Sequence, residues 1–163
     1  MSIYVAGPVL RSPADMYDRP HLRAIYEDIG SLEYAQRRLG RELDFLTDIY
    51  TDIMRSAVRY KMRVSVPGPE RALDVASPKE FIEQIHERIR ESERVITVYT
   101  PFDAAGPIET AYASFFRKRI LILARQPKLL PRMTLGLPGV HAVVEAGSRS
   151  DISDALSDFL NQQ

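Results

Sequence analysis

The sequence predicts a single domain of the α/β class over residues 1–163, with a mainly parallel sheet of about five strands. Three observations support this prediction. Short β-prone runs alternate with helical patterns along the chain, which is typical of a parallel sheet covered by helices. The runs Val95-Ile96-Thr97-Val98-Tyr99 and Ile120-Leu121-Ile122-Leu123-Ala124 are almost continuously apolar, as expected of strands buried on both faces. No repeat, low-complexity segment or linker divides the chain.

The N-terminal third contains one predicted strand and a helical insertion. Ile3-Tyr4-Val5-Ala6 is a β-prone run that ends at Gly7-Pro8, which predicts a strand leading into a loop. Apolar residues then recur at helical spacing, which predicts a helical insertion over about residues 21–60. The stripe from Leu32 to Tyr60 is either one long helix or two helices that Gly40 separates.

The next two elements are a strand and a capped helix. Residues 62–66 alternate between apolar and polar side chains and stop at Pro67-Gly68-Pro69, which predicts a strand and a loop. Ser77 fits a helix N-cap, with Pro78 at the first helical position and Glu80 three residues after the cap. We expect the buried face of this helix to carry three isoleucines, Ile82, Ile85 and Ile89.

The C-terminal part continues the alternation beyond the two apolar runs. Gly106-Pro107 is expected to open a helix that lasts to about Phe116, and Val140–Val144 to form a strand. A last helix is predicted from about Ser150. Helices on both sides of such a sheet give a three-layer, Rossmann/flavodoxin-like fold.

The composition narrows the possible functions. Lys and Arg number 22, as do Asp and Glu, so no broad cationic field favours a nucleic-acid polymer or an anionic membrane. The absence of cysteine removes a thiol nucleophile, and the three histidines have no zinc-site spacing. Phosphate-loop, dinucleotide-binding and serine-hydrolase motifs are also absent. We expect a cytoplasmic protein that uses neither metal nor cofactor and takes a small molecule.

The loop after the predicted central strand carries the best candidate for chemistry. In open parallel sheets, ligands bind beyond the carboxyl ends of the strands. Pro107 suits the first helical position, which would place Glu109 in the first turn, where the helix dipole favours a negative charge. An ionised carboxylate is a suitable nucleophile for an anomeric carbon. The alternative is that Glu109 only stabilises the start of the helix.

Four motifs carry a resemblance to a known family. They are, in chain order, Ile3-Tyr4-Val5-Ala6-Gly7-Pro8, Ser92-Glu93-Arg94-Val95-Ile96, Asp103…Gly106…Glu109-Thr-Ala-Tyr-Ala and Phe116-Arg117-Lys118-Arg119-Ile120-Leu121-Ile122-Leu123. Their order and spacing resemble the nucleoside 2-deoxyribosyltransferase-like superfamily, which includes nucleoside 5′-monophosphate N-glycosidases. Ala105 and Ala111 occupy two positions where this family usually has glycine.

This resemblance implies an enzyme that cleaves or transfers the N-glycosidic bond of a nucleoside or nucleoside monophosphate. Glu109 matches the nucleophile, and Asp103 matches an acidic position that holds sugar hydroxyls. The expected substrate-binding residues are Tyr4, Gly7, Pro8, Arg11, Gly106 and His86. Arg11 suits capture of a phosphate or carboxylate, and His86 lies where the family often carries a base-orienting Asp.

Two other functions are compatible with the same residues. The domain could be a non-catalytic nucleotide-binding or oligomerisation module of this fold, or a TIR-like glycohydrolase that acts on NAD. We also expect a homo-oligomer, because a single straight helix from Leu32 to Tyr60 exposes more apolar surface than one small sheet can cover.

Overall fold

The structure, a computed structural model, describes residues 1–7, 45, 48–65, 77–101 and 105–161. Its sheet contains five strands in the order β2-β1-β3-β4-β5, and all four pairings are parallel. The strands are β1 Ser2–Ala6, β2 Arg63–Ser65, β3 Arg94–Tyr99, β4 Arg119–Ala124 and β5 Val140–Glu145. The α/β class and the parallel sheet of the prediction are therefore confirmed.

Helices cover both faces of this sheet. They are α1 at 48–59, α2 Pro78–Glu91, α3 Ala105–Phe115, the short α4 Arg132–Leu135 and α5 Arg149–Asn161, with a 3₁₀ turn at Pro127–Leu129. One core lies between the sheet and α1 and α5, which we call the α1–α5 face. The other lies under α2 and α3, which we call the α2–α3 face. The molecule thus has the three layers that the sequence predicts.

Helix α2 begins as its cap predicts, but one isoleucine is placed differently. The Ser77 hydroxyl accepts a hydrogen bond from the Glu80 N–H, and the Glu80 carboxylate accepts one from the Ser77 N–H at 2.8 Å. Ile85 and Ile89 are buried, whereas Ile82 is 37% exposed, so its predicted burial is wrong. The inner stripe runs instead through Phe81, four residues before Ile85, which packs against the core.

Helices α1 and α3 end in the same left-handed turn without glycine. The backbone φ is 52° at Lys61 and 55° at Arg117. After α1, the Lys61 N–H donates to the Val58 carbonyl and the Met62 N–H to the Ala57 carbonyl, which is a Schellman motif.

The helix predicted within the stripe from Leu32 to Tyr60 is present at 48–59, while Gly40 and most of the predicted insertion lie outside the described residues.

The strand order determines where a ligand can enter. From β1 the chain moves outward to β2 and then returns to β3 on the other side of β1. Two neighbouring strands whose connections diverge in this way leave a crevice at their carboxyl ends, which is the usual ligand site of open parallel sheets. Among the described residues, no helix is long and apolar enough to cross a membrane.

Candidate active site

The crevice between β1 and β3 contains the Glu109 carboxylate. β1 ends at Ala6, which is paired with Thr97 of β3, and Gly7 follows directly. Helix α3, which follows β3, carries Glu109 on its inner side, where the residue is only 3% exposed. A carboxylate taken so far out of water is costly unless hydrogen bonds stabilise it.

The expected position of Glu109 in the first helical turn is wrong. Helix α3 begins at Ala105, so Pro107 is its third residue and Glu109 its fifth. Proline is tolerated anywhere in the first turn, because the first N–H groups of a helix have no intrahelical partner. Pro107 therefore does not mark the helix start, and Glu109 depends on partners other than the helix terminus.

One partner of Glu109 is the backbone of Gly7. The Gly7 N–H donates a hydrogen bond to Oε2 of Glu109, with 3.3 Å between the two atoms. Gly7 has a φ of 139°, and a Cβ added to it would lie 2.6 Å from the carbonyl oxygen of Val98. Only glycine fits this turn, so the glycine predicted for the site is also a geometric requirement of it.

The second neighbour of Glu109 is the phenol of Tyr4. Tyr4 is fully buried, and burial together with the Glu109 carboxylate raises the pKa of the phenol far above its ordinary value. Arg88 acts in the opposite direction but more weakly. Glu109 raises the pKa of Tyr4 both as a charge and as a hydrogen-bond acceptor, although within the described part of the chain the contact falls short of standard hydrogen-bond geometry. Tyr4 thus stays protonated at neutral pH and can donate a hydrogen bond to a carboxylate.

A chain of two threonines attaches α3 to β3 beside the site. The Thr110 hydroxyl donates to the carbonyl of Gly106 at 2.6 Å. Because its proton is used there, the Thr97 hydroxyl donates to Thr110 across 2.7 Å. Both threonines and Gly106 are buried. Gly106 therefore supplies, within the same helix, the carbonyl that orients the Thr110 hydroxyl, while the Thr97–Thr110 bond links the helix to β3.

The structure places His86 between α2 and α3. Its ring meets the ring of Tyr112 edge-on, with 3.9 Å between centroids, and lies 6.1 Å from that of Phe116. Tyr112 lies one helical turn beyond Glu109. Nε2 of His86 is buried and has no hydrogen-bond partner among the described residues. Its predicted contact with a base stays a prediction.

One further residue at the crevice, Tyr50, could not be identified from the sequence. Tyr50 of α1 is half-buried, and its hydroxyl lies 3.1 Å from the point that a Cβ on Gly7 would occupy. In the sequence, Tyr50 is only one member of the apolar helical stripe. A tyrosine between buried Ile49 and Ile53 was the available signal, because its ring suits the core while its hydroxyl needs a polar environment.

The structure therefore brings Tyr4, Gly7 and Glu109 together and places Gly106 at the start of the same helix. Three of the predicted site residues, Pro8, Arg11 and Asp103, lie outside the described residues, and their roles stay predictions.

Two solved structures are similar in fold to this protein over nearly their whole length. One similar structure is the CMP N-glycosidase BcmB of Clostridium botulinum, with a TM-score of 0.53, 12% identity, and coverage of 96% of this chain and 98% of that chain. Another is the 2-deoxyribosyltransferase of Bacillus psychrosaccharolyticus, with a TM-score of 0.52, 11% identity, and coverage of 94% and 91%. No family model and no curated protein sequence matches the chain.

These similarities define the class of fold. The chain shares the α/β fold of these two proteins, and the fold that the sequence resemblance implies is confirmed. The two similar structures cover nearly the whole chain, so the likeness is not restricted to the central strands.

Proposed function

We propose that this protein cleaves the N-glycosidic bond of a nucleoside or nucleoside monophosphate, with Glu109 as the nucleophile. The observation that carries the proposal is a buried carboxylate at the β1–β3 crevice, held by the Gly7 N–H and adjacent to the protonated phenol of Tyr4. The two similar structures, a CMP N-glycosidase and a 2-deoxyribosyltransferase, support the same bond as the target.

The first step forms a glycosyl–enzyme intermediate. One Glu109 oxygen forms a bond to C1′ of the sugar while the bond from C1′ to the base nitrogen breaks. The electron pair of that bond leaves with the base, which takes up a proton from water. The transition state has oxocarbenium character, so a negative carboxylate beside C1′ stabilises it.

The Gly7 N–H and Tyr4 keep the carboxylate ready for this step. Oε2 accepts the hydrogen bond from Gly7, which helps to fix the plane of the carboxylate that attacks C1′. The Tyr4 phenol keeps its proton, because ionising it beside Glu109 would place two negative charges in a buried site.

The second step releases the sugar. A water molecule attacks C1′, the bond to Glu109 breaks with its electrons returning to the carboxylate, and one proton is released. This proton balances the one that the base took up. If the nitrogen of a second base attacks instead, the same intermediate gives base exchange, so hydrolysis and transfer differ only in the acceptor.

The test is release of free base from a panel of substrates. Wild-type protein is incubated with 2′-deoxynucleosides, nucleoside monophosphates including CMP, and NAD, and the products are separated by chromatography. We expect base release from at least one nucleoside or nucleotide, and loss of that activity by at least 1000-fold in Glu109→Ala, since the nucleophile supplies several kcal/mol of the barrier reduction. Glu145→Gln is the matched control, because Glu145 is an exposed carboxylate at the end of β5.

Each other outcome contradicts the proposal in a defined way. Base release that survives in Glu109→Ala would remove Glu109 from the mechanism. Release of nicotinamide alone would favour the TIR-like activity on NAD. No release from any substrate, with a nucleotide still raising the thermal midpoint, would favour the non-catalytic binding module.

We also propose that the protein assembles as a homo-oligomer through α1. Met54 and Val58 lie four residues apart on this helix and are 48% and 77% exposed. Side chains at this spacing share one helix face, and burying them against a second copy would remove apolar surface from water. Sedimentation at micromolar concentration tests this, with Met54→Lys/Val58→Lys expected to dissociate the assembly. A wild-type monomer would contradict it.

A further inference from the structure

Tyr50 reaches the crevice from the face of the sheet opposite to Glu109. It belongs to α1, and its partly buried side chain packs against the core of the α1–α5 face. Glu109 belongs to α3 on the α2–α3 face. Both side chains meet the same residue, since the Gly7 N–H donates to Glu109 and the Tyr50 hydroxyl lies against the Cα side of Gly7. Gly7 therefore lies between Glu109 of one face of the sheet and Tyr50 of the other.

The two tyrosines of the crevice differ in access. Tyr4, which adjoins the Glu109 carboxylate, is fully buried, whereas Tyr50 is only half-buried. The two phenols are near enough to influence each other electrostatically, because a second ionisable hydroxyl near Tyr4 further disfavours its ionisation. Tyr50 can therefore present its hydroxyl to a ligand in the crevice, while Tyr4 serves the carboxylate.

We propose that the Tyr50 hydroxyl hydrogen-bonds to the sugar of the bound nucleoside. The inference rests on the proposed function, in which Glu109 bonds to C1′ and the sugar is therefore the part of the substrate that lies over Gly7. Tyr50, which borders Gly7 on the side opposite to Glu109, then faces the sugar and not the base. A phenol hydroxyl both donates and accepts, so it suits a sugar hydroxyl or a 5′-phosphate oxygen.

The experiment measures binding without turnover. Tyr50→Phe is placed in a Glu109→Gln background, which keeps the shape of the carboxylate and prevents reaction. Calorimetry then gives Kd for 2′-deoxyadenosine, 2′-deoxycytidine and CMP, and for free adenine and cytosine. We expect Tyr50→Phe to raise Kd of the best nucleoside about 3- to 10-fold, the effect of losing one neutral hydrogen bond, and to leave Kd of the free base unchanged.

Tyr60→Phe is the matched control. Tyr60 lies at the other end of the same helix, roughly 15 Å along its axis, and its hydroxyl pairs with Oγ of Ser157 at 2.8 Å. This variant removes the same atom from the same helix, and we expect no change in any Kd. The thermal midpoint of each variant shows whether the loss of the hydroxyl acts on the ligand or on the fold.

The outcomes separate this inference from the proposed function. An unchanged nucleoside Kd in Tyr50→Phe overturns the inference, and so does an equal weakening of the free base, which would place Tyr50 at the base. Weaker nucleoside binding in Tyr50→Phe without base release by the wild-type protein overturns catalysis but supports the contact. If the protein binds neither of the two nucleosides nor CMP, the inference and the proposed function are both overturned.

Discussion

Two buried charged residues, Glu109 and Arg94, lie on opposite faces of the sheet and toward opposite ends of its strands. On the α2–α3 face, Glu109, Tyr4 and the pair Thr97–Thr110 are buried where β1 and β3 end. On the α1–α5 face, one buried polar link lies at the start of a strand and near the end of a helix. There Arg94, the first residue of β3, donates to the Phe159 carbonyl.

This comparison distinguishes a buried polar group that stabilises the fold, Arg94, from one that the fold does not require, Glu109. Arg94 donates to a backbone carbonyl near the end of α5, so its burial serves the packing of a helix on the sheet. No such packing purpose requires a carboxylate under α3, where an apolar side chain would be cheaper to bury. A buried charge at the carboxyl ends of parallel strands is therefore the stronger indication of function.

The largest expected effect concerns the α1–α5 face. Phe159 is 1% exposed, and the guanidinium groups of Arg94 and Arg119 each lie 5.6 Å from its ring centre. Phe159→Ala should lower the free energy of unfolding by about 3–5 kcal/mol, because it leaves a cavity in the core. Base release per folded molecule should stay unchanged. Urea denaturation and activity normalised to the folded fraction measure both quantities.

The milder Phe159→Leu is the companion variant, since it should lose less stability and guards against complete unfolding of the alanine variant. If either variant lost activity in proportion to its lost stability, even after normalisation, the core around Phe159 would not be functionally separate from the site at Glu109.

The next effect compares two strained glycines. Gly7 has a φ of 139°, and Gly139, before β5, has a φ of 87° with a Cβ position 2.3 Å from the Lys118 carbonyl oxygen. Alanine at either position should lower the free energy of unfolding by about 3 kcal/mol, through backbone strain and overlap. Only Gly7→Ala should also reduce base release by more than 100-fold, because only Gly7 donates to Glu109.

Gly136→Ala is the control for both variants. A Cβ at Gly136 would have no neighbour closer than 3.7 Å, so we expect little loss of stability and full activity. Equal losses of activity in Gly7→Ala and Gly139→Ala would mean that general strain, and not the Glu109 contact, limits the reaction.

A smaller effect is expected from Tyr4→Phe. The variant removes a buried hydroxyl without a well-formed hydrogen bond, so stability at neutral pH should change by less than about 1 kcal/mol. Base release should fall by about 10- to 100-fold, because the neutral donor beside Glu109 is lost. Denaturation at pH 7 and single-turnover kinetics measure these two values. Wild-type kinetics in Tyr4→Phe would contradict the assigned role.

The same variant has a signature at high pH. Burial and Glu109 raise the pKa of Tyr4 above its ordinary value of 10, so the folded protein keeps a proton that the unfolded chain loses above that pH. The contribution of Tyr4 is complete below pH 10 and is lost as pH rises further. The wild-type free energy of unfolding should therefore decrease above pH 10 by up to about 1.4 kcal/mol per pH unit more than that of Tyr4→Phe. Parallel curves would show that Tyr4 ionises normally.

The smallest expected effect is a gain in stability at the end of α3. Arg117 occupies the left-handed position that glycine normally fills, with a φ of 55°. Arg117→Gly should raise the free energy of unfolding by about 1 kcal/mol and leave base release unchanged. Lys61→Gly, at the end of α1, should give a similar gain on the other face. A loss of stability in both variants would show that the arginine and lysine side chains contribute more than the backbone strain costs.

The sequence predicted the strands better than the exact place of the candidate nucleophile. Continuous apolar runs identify buried parallel strands, and Ser77 with Glu80 identifies a helix start because both hydrogen bonds are local. The rule for parallel sheets also predicted a site at the loop after the central strand, which leads into the helix that carries Glu109. Pro107 misplaced Glu109, because proline is compatible with any position in the first turn.

Long-range contacts explain what the sequence could not reveal. The hydrogen bond between Gly7 and Glu109 spans 102 positions in the chain, and no local pattern indicates which oxygen accepts it. Tyr50 shares a helical stripe with core residues, and only the position of α1 over the end of β1 brings its hydroxyl to Gly7. Periodicity shows which face of a helix is buried but not which atoms it meets.

The pairing of Ala6 with Thr97 makes the contact between Gly7 and Glu109 depend on the alignment of two strands. A slip of one residue would move Gly7 by roughly 3.3 Å along the sheet and turn each side chain of β1 to the opposite face. Such a molecule could keep its helices and much of its compactness, yet the amide that holds Glu109 would be out of reach. Base release would then show whether the strands of a refolded or truncated preparation are paired in the correct register. Circular dichroism would not show this, because it reports only the content of secondary structure.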